Sequence, residues 1–481
     1  MEKLIFEKSR SGRRAYSLPR LDVETHNIQE EIPNHFLRKE VCELPEVSEI
    51  EIARHFLRLS HLNYNIEKGI YPLGSCTMKY NPKANEKAAG FDGFANIHPF
   101  MPEKHVQGAL QLMYELGQDL MKITGMAGVT LQPAAGAAGE FTGIMMIRAY
   151  HRDRGDNKRT KILIPDSAHG TNPASAAIAG FQIVNVKSDE HGRVDIDDFK
   201  SKLNDEVAAL MITNPNTLGI FEKNICVIEK ELHEAGALLY MDGANLNALI
   251  GIAQPGKFGV DALHINLHKT FSTPHGGGGP GAGPVVVSER LIPYLPVPQI
   301  QLADGIYSFD YDRPKSIGKV HTFFGNFLVF VRAFNYIKML GKEGIPQTSR
   351  GAILNANYLK SLIKEYFEFP YDAQCMHEFV MSGDRQKKRG VSTMEVVKRL
   401  LDYGFHAPTV YFPLIVHEAL LVEPTETETK ESLEEFAQAL IAIDKEIDEN
   451  PELVKSAPHT TPVKRINDAY AARNLNVNWK E

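Results

Sequence analysis

The chain has 481 residues, a formal net charge of -7 at pH 7, and a composition of 43% hydrophobic and 23% charged residues. These values are typical of a soluble globular protein with two or three domains, and they argue against disorder and against a nucleic-acid-binding surface. The sequence shows no long apolar run, no apolar secretory core near its start and no metal-ligand spacing among its four cysteines, so we expect a cytoplasmic protein with reduced thiols and small-molecule or protein partners.

Three regions are predicted along the chain. Residues 1–90 are polar and irregular, and we expect an N-terminal arm with a substrate-loop segment, of a kind that often wraps a partner subunit. From Gly139 onward, strand-like and helix-like segments alternate, which predicts a large α/β domain with a mostly parallel sheet over residues 91–330. Charged helices with short strand candidates at residues 378–381 and 410–413 then predict a smaller C-terminal α+β domain over residues 331–481.

The predicted strands of the large domain are continuously apolar, as expected where helices cover both faces of a sheet. They are residues 161–165, 181–186, 208–213, 237–242, 262–267 and 283–288. The predicted helices are residues 140–150, 173–179, 196–203 and 228–235. Because open α/β sheets bind ligands at the carboxyl ends of their strands, the residues that follow these strands are the first candidates for a site.

Lys269 lies just past the strand at residues 262–267 and before a loop with four successive glycines. A surface lysine is the ordinary interpretation of any single lysine. The neighbouring His268, Thr270 and glycines instead indicate a tightly packed polar pocket at the sheet edge. We therefore predict a functional role for Lys269.

Asp242 ends the strand at residues 237–242 and begins the sequence Asp-Gly-Ala-Asn. An Asp-Gly pair often simply caps a turn, and from this motif by itself the structural and functional interpretations have equal weight. One helix and one strand separate Asp242 from Lys269, which lets both side chains reach the same ligand. Asp242 and the nearby Ala244 are therefore predicted to bind it.

Three further segments fall at the same edge. Ala135, Gly136 and Ala137 belong to a loop of small residues that enters a helix, where backbone N–H groups can bind phosphate, although such helix starts also occur for packing reasons. His169 follows the next strand, where its ring could stack on a flat ligand or could be an ordinary structural histidine. Asn214 follows the strand after that and could donate a hydrogen bond or turn the chain.

A lysine, a carboxylate, a phosphate cradle and a flat group over a ring are what pyridoxal 5'-phosphate needs. The lysine forms a Schiff base, and the carboxylate keeps the pyridine nitrogen protonated so that the ring can accept electrons. The sequence therefore predicts pyridoxal phosphate as the cofactor, with Lys269 and His169 as catalytic residues and no metal.

The order and spacing of these elements resemble the fold-type-I family of pyridoxal-phosphate enzymes, a resemblance that implies the cofactor but not the reaction. More specific strings are similar to the C-terminal half of the glycine decarboxylases, the P-proteins of the glycine cleavage system. These strings are residues 71–83, 98–100, 166–172, 266–281, 375–379 and 404–408. The similarity runs from near Phe6 to at least Glu428, which is almost the whole chain.

This resemblance implies decarboxylation of glycine and transfer of the aminomethyl group to the lipoyl arm of an H-protein. Single-chain members of the family carry two homologous halves, of which the second keeps the lysine. A chain of this length is therefore expected to be the cofactor-bearing subunit of a split enzyme. A cofactor-free subunit 1 is implied, in a heterotetramer with two copies of each subunit.

The resemblance also implies further site residues. Ser75 and Thr77 are expected to bind the glycine carboxylate, while Cys76 between them is expected to be a buried apolar residue rather than a redox thiol. His268 is expected to lie beside the cofactor phosphate or the lipoyl arm. Thr322 is expected to contact the phosphate, within the chain or across a subunit boundary.

Two alternatives stay open at this point. Another fold-type-I enzyme, a cysteine desulfurase or an aminotransferase, would need a reactive cysteine on a mobile loop or an arginine for a second carboxylate, and Cys375 begins a strand candidate instead. A non-catalytic scaffold subunit would be expected to have lost Lys269 and Asp242, which are both present.

Overall fold

The computed structural model describes residues 2–40, 42–275 and 281–479. The chain divides into two compact units, one formed by Met1–Asn65 with Pro458–Glu481 and the other by Ile66–Ala457. Most of the glycine-rich loop predicted after Lys269, at residues 276–280, lies outside the described residues. Across the part of the chain that is described, no helix combines the length and the apolar character needed to cross a membrane. The domain boundaries at residues 90 and 330 stay a prediction.

The first unit contains helices α1 (Ile28–Glu31) and α2 (Glu49–Leu62) and a C-terminal helix at Asp468–Arg473. α2 begins with a capping box, in which Ser48 and Glu51 satisfy each other's backbone N–H groups. The prediction that the chain before Phe91 is irregular is therefore wrong for α2, because this cap and the apolar residues spaced along its length start and sustain a helix.

A seven-stranded sheet, counted over the described residues, forms the centre of the second unit. Its strands are β1 (Gly128–Thr130), β2 (Lys161–Pro165), β3 (Gln182–Val186), β4 (Val207–Thr213), β5 (Leu238–Gly243), β6 (Ala262–Ile265) and β7 (Val285–Val287). They lie in the order β1-β7-β6-β5-β4-β2-β3, in which the strands from β6 to β3 are parallel and β7 is antiparallel to both neighbours. The prediction of a mostly parallel sheet is confirmed.

The helices of the second unit are α3 (Lys83–Ala89), α4 (Asp92–Ala95), α5 (Gln107–Thr124), α6 (Gly136–Asp153), α7 (Thr171–Ile178), α8 (Ile196–Lys202), α9 (Ile225–Glu234), α10 (Leu267–Thr270), α11 (Phe327–Ile363), α12 (Asp384–Lys388), α13 (Thr393–Asp402), α14 (Lys430–Glu449) and α15 (Pro451–Lys455). Helices α5 to α9 and α11 share a hydrophobic core with one face or the other of the large sheet, whereas α13, α14 and α15 belong to a separate core with the strands near the C-terminus. In β4, Leu210 and Ile212 belong to one hydrophobic core with α5, α9 and α11, whereas Ala209 and Met211 belong to another with α6 and α7. This alternation explains why the strand is apolar throughout.

The strands that follow the large sheet are short and antiparallel. β8 (Gln299–Ala303) pairs with β9 (Ile306–Asp310), while β10 (Phe379–Ser382), β11 (Thr409–Val410) and β12 (Ala419–Val422) pair in the order β10-β12-β11. The strand predicted at residues 410–413 ends early, because Tyr411 has a φ of +56° and Pro413 has no N–H to donate.

The segment that carries Ser75 runs beside β12. Leu73 forms a bridge with Val422, and the Gly74 N–H donates to the carbonyl of Leu421 at 3.2 Å. A Cβ on Gly74 would lie 2.6 Å from that carbonyl oxygen, so glycine is needed for this close approach. The contact fixes the position of Ser75, the next residue.

Candidate active site

A cavity of about 240 Å³ lies where the parallel strands of the large sheet end. Thr213 ends β4, Asp242 lies near the end of β5, and the segments after β2 and β6 carry His169 and Lys269. The residues that line the cavity are Ser75, Gly136, Ala137, Glu140, His169, Thr171, Thr213, Thr217, Asp242, Ala244, Asn245, His264, Asn266, His268 and Lys269. The structure therefore brings Lys269, Asp242 and His169 together, as their positions after strands predict.

Asp242 is a buried carboxylate held by three polar neighbours. It accepts hydrogen bonds from the Asn172 side-chain amide at 2.9 Å and from the Ala244 backbone N–H at 2.8 Å, and its Oδ1 lies 3.3 Å from Nε2 of His264. Burial opposes ionisation of Asp242, but these neighbours together lower its pKa below the usual value. Asp242 can therefore stay ionised and accept a hydrogen bond from a protonated ring nitrogen.

Lys269 lies on α10, a single turn that follows β6. Its Nζ donates a hydrogen bond to the backbone carbonyl of Ser75 at 2.8 Å. Ser75 has a φ of +65°, a left-handed conformation that a serine adopts at a cost of roughly 1–2 kcal/mol. Lys269 thus contacts a residue whose unfavourable backbone conformation must be held in place by the surrounding structure.

The pKa values of three histidines near Lys269 are lowered from their usual value. Burial, followed by His275 and Lys269, lowers the pKa of His268 to about 3, and burial followed by Lys269 lowers the pKa of His275 to about 4. The pKa of His169 is also lowered, by burial and then by Lys269. His169 packs edge-on against Phe412 and lies 2.9 Å from the Thr171 hydroxyl.

The predicted phosphate cradle is the start of α6, an 18-residue helix. Its first residues, Gly136 and Ala137, line the cavity, whereas Ala135 is the residue before the helix and does not. A Cβ on Gly136 would lie 2.5 Å from the side-chain nitrogen of Asn266. The free N–H groups of this first turn thus meet the cavity without an intervening side chain, as anion binding requires.

Besides Ala135, three residues predicted to bind ligand do not line this cavity. The buried Thr77 hydroxyl donates to Glu423 at 2.5 Å, which occupies it with a protein partner. Asn214 is buried and its side-chain oxygen accepts from the Glu222 N–H, so Thr213 and Thr217 take its place at the cavity wall. Thr322 is exposed, and its contact across a subunit boundary stays a prediction.

Sequence reasoning missed several residues that support the site. Glu140 is buried and accepts hydrogen bonds from Thr171 at 2.8 Å and from Ser175 at 3.1 Å. His264 bridges Asp242 and the Tyr240 hydroxyl, which lies 2.7 Å from its Nδ1. A histidine inside an apolar strand was a usable signal, because a buried polar side chain needs a partner.

The residues present fit pyridoxal phosphate. The cavity joins a primary amine, a buried ionised carboxylate and the start of a helix. Its wall also carries buried polar atoms with no hydrogen-bond partner among the described residues, namely Thr213 Oγ1, Asn266 Oδ1 and His268 Nδ1. Unpaired buried polar atoms are costly, so their presence around one cavity indicates a polar ligand.

Comparison with known proteins gives consistent results over the whole chain. Residues 20–301 match the family model described as "Glycine cleavage system P-protein", and residues 348–464 match "Glycine dehydrogenase, C-terminal domain". The chain is 58% identical, over 99% of its length and 98% of the relative, to the "Probable glycine dehydrogenase (decarboxylating) subunit 2" of Caldanaerobacter subterraneus subsp. tengcongensis. It is 60% identical to the protein of the same name from Chlorobaculum tepidum, with 99% of both chains covered.

The fold is similar to a crystal structure of glycine decarboxylase (P-protein) of the glycine cleavage system in inhibitor-bound form. The TM-score is 0.72 at 20% identity, with 86% of this chain and 94% of that chain covered. At this identity the likeness concerns the fold.

Proposed function

The chain belongs to the glycine cleavage system P-protein family, and from this premise we propose that the cavity at the sheet edge is the active site of a pyridoxal-phosphate-dependent glycine decarboxylase. The observation that carries this assignment is the placement of Lys269 and ionised Asp242 in one cavity beside the start of α6. The site needs all three: an amine, an anion and a phosphate cradle.

Each group has a defined task in this proposal. Pyridoxal phosphate, when bound, supplies the electron-accepting ring on which glycine loses its carboxylate. Lys269 provides the amine that holds the cofactor covalently, and Asp242 holds a proton at the ring nitrogen. The N–H groups of Gly136 and Ala137 bind the phosphate. His169, neutral and beside the cavity, is available to accept or donate one proton near the substrate.

Partner proteins follow from the family. The relatives are named subunit 2, so we infer a partner subunit 1 for this chain. Two copies of each subunit, and a lipoylated H-protein that receives the aminomethyl group, complete the proposal. Ser75 is the residue of the predicted substrate loop that reaches the cavity, and we propose that it contacts the glycine carboxylate.

A cysteine desulfurase is not supported by the two less exposed thiols, Cys76 and Cys375. A cysteine desulfurase needs a nucleophilic thiol, but burial raises the pKa of Cys375 to about 11 and also raises the pKa of Cys76. A scaffold subunit has no need of Lys269 and Asp242, which both point to catalysis.

The test combines absorption spectroscopy with release of labelled carbon dioxide from glycine, with and without subunit 1 and lipoylated H-protein. The wild-type chain is expected to bind the cofactor with a visible absorption band and to release carbon dioxide with the full set of proteins. Lys269→Ala should lose both the band and the activity, whereas Lys257→Ala, at an exposed lysine, should lose neither. Activity retained by Lys269→Ala would refute the assignment.

A further inference from the structure

A second group of ionisable side chains lies next to the backbone turn at Gly74 and Ser75, called the Ser75 turn below. His377 and Glu378 precede β10, and Glu423 follows β12. All three are fully buried, and one nitrogen or oxygen atom from each lies within 4.8 Å of the others. The proposed function assigns them no role, although a buried carboxylate is expensive unless its charge is compensated.

The charges near this cluster do not balance if both acids are ionised. Lys269 is a cation that lowers the pKa of both Glu378 and Glu423. The buried Lys79 nearby is already paired with Glu426 at 2.7 Å. Two carboxylates would then face one ammonium group, that of Lys269, which also lowers the pKa of Asp242. Carboxylates that share a buried site do not both ionise, so one proton is needed for balance.

The hydrogen bonds indicate which acid keeps that proton. Glu378 accepts from the Ser75 backbone N–H at 2.7 Å and from the Asn245 amide at 3.2 Å, and donors of this kind favour the ionised form. Glu423 accepts from the Thr77 hydroxyl, and its second oxygen has no partner among the described residues. That second oxygen is the place for the proton.

We propose that Glu378 and Glu423 hold one proton between them, carried on Glu423, and that the single charge left on Glu378 positions the Lys269 amine through the Ser75 backbone. The Ser75 N–H donates to Glu378 while the Ser75 carbonyl accepts from Lys269. The inference rests on the proposed role of Lys269. It gives that amine a fixed place whenever it is not bonded to the cofactor.

The directions of the pKa shifts agree with this arrangement. Burial raises the pKa of Glu378 to about 7, and burial followed by Glu378 raises that of Glu423 well above its usual value. The other ionisable groups that face the pair are Cys76, Cys375, His377 and Glu426. Burial lowers the pKa of His377 to about 3, so His377 adds no positive charge.

A metal ion is the competing occupant of this cluster, because imidazole and carboxylate are metal ligands. Two observations favour the proton. Both oxygens of Glu378 already accept hydrogen bonds, and the Lys269 ammonium group already supplies a nearby positive charge.

The test measures the Lys269 amine in the full-length chain after removal of the cofactor. Wild type, Glu378→Gln, Glu423→Gln and the double variant are labelled over a pH series with a lysine-selective reagent. Labelling of Lys269 is quantified by mass spectrometry against the exposed Lys230. Glu222→Gln is the matched control, since Glu222 is also buried and accepts from two backbone N–H groups.

Each single variant leaves one carboxylate, which then ionises, so the pKa of Lys269 should stay within about 0.5 unit of the wild-type value. The double variant removes the charge and should lower that pKa by about 1–3 units. Single-variant shifts that add up to the shift of the double variant would show two independent charges and overturn the sharing of a proton. An unshifted double variant would overturn the coupling to Lys269.

A second measurement needs the single variants and does not depend on folding of the double variant. The infrared difference between wild type and Glu423→Gln at neutral pH should contain a protonated carboxyl band, and its absence would overturn the proposal. One divalent metal per wild-type chain would overturn it as well. If the wild-type chain with its partners does not decarboxylate glycine, the proposed function is refuted. The labelling of Lys269 does not depend on that activity and would still test the proton shared by Glu378 and Glu423.

Discussion

Replacing Gly136 by alanine tests whether the start of α6 approaches the cofactor. The added Cβ would lie 2.5 Å from the Asn266 side-chain nitrogen and 3.1 Å from its carbonyl oxygen. Asn266 is itself nearly buried, so it can move only by pushing into the cavity or against its neighbours. Overpacking of this kind costs about 1–3 kcal/mol. At about 1.4 kcal/mol per tenfold, cofactor affinity should fall by roughly 5- to 140-fold.

The assay is titration of the cofactor-free chain with pyridoxal phosphate, followed by absorbance. Gly108→Ala is the matched control, because it adds the same methyl group at a helix start where nothing lies within 4 Å. Adding Asn266→Ala removes the atoms that the new methyl group meets, so Gly136→Ala should then cause little further loss. Wild-type affinity in Gly136→Ala would refute the reasoning, since it would place the cofactor away from this helix.

Three further outcomes are expected. Asp242→Asn should keep the cofactor absorption but slow glycine decarboxylation about a thousandfold. This factor corresponds to the loss of an ion pair worth roughly 4 kcal/mol at a separation of about 4 Å and an effective dielectric constant of about 20. A rate loss below about tenfold in single-turnover assays would count against the role of Asp242. The pKa of His377 is about 3 in the folded chain, against an ordinary value of 6.5. Between these two pH values the unfolded chain binds a proton that the folded chain does not, so the free energy of unfolding falls as the pH drops from 6.5 to about 3. In urea titrations, His377→Gln should reduce the slope of unfolding free energy against pH by up to about 1.4 kcal/mol per pH unit. An unchanged slope would contradict the lowered pKa of His377. Iodoacetamide should modify the exposed Cys42 and Cys226 at neutral pH and leave the buried Cys375 unmodified until the chain unfolds, as mass spectrometry would show.

Local sequence pattern was sufficient for the large sheet and for the residues at its carboxyl edge. The apolar run of β4 and the positions of Asp242 and Lys269 after strands required no knowledge of distant contacts. The Ser75 turn is different, because its N–H donates to Glu378, 303 residues away in sequence. Periodicity and spacing report neighbours along an element, so they could not show that these two segments meet.

Thr77 also shows that sequence pattern does not report contacts between distant segments. Its hydroxyl was a reasonable ligand for the substrate on the basis of sequence, yet it is buried against Glu423, 346 residues further along the chain. The departure of Asn214 has a local cause, since its side-chain oxygen accepts the N–H of Glu222 in the following loop. The Thr77 hydroxyl is therefore taken by a protein partner, whereas the side-chain nitrogen of Asn214 has no hydrogen-bond partner among the described residues.

The neutral histidines around Lys269 constrain how the phosphate is bound. Because the pKa values of His268 and His275 are lowered to about 3 and 4, either ring would have to take up a proton, at a cost in free energy, before it could bind the phosphate as a cation. The N–H groups at the start of α6 do not titrate, and they are left as the principal partners for the anion. Between pH 5 and 8, therefore, the protonation of these two histidines should not change cofactor affinity, and the helix start that Gly136 keeps open should control it.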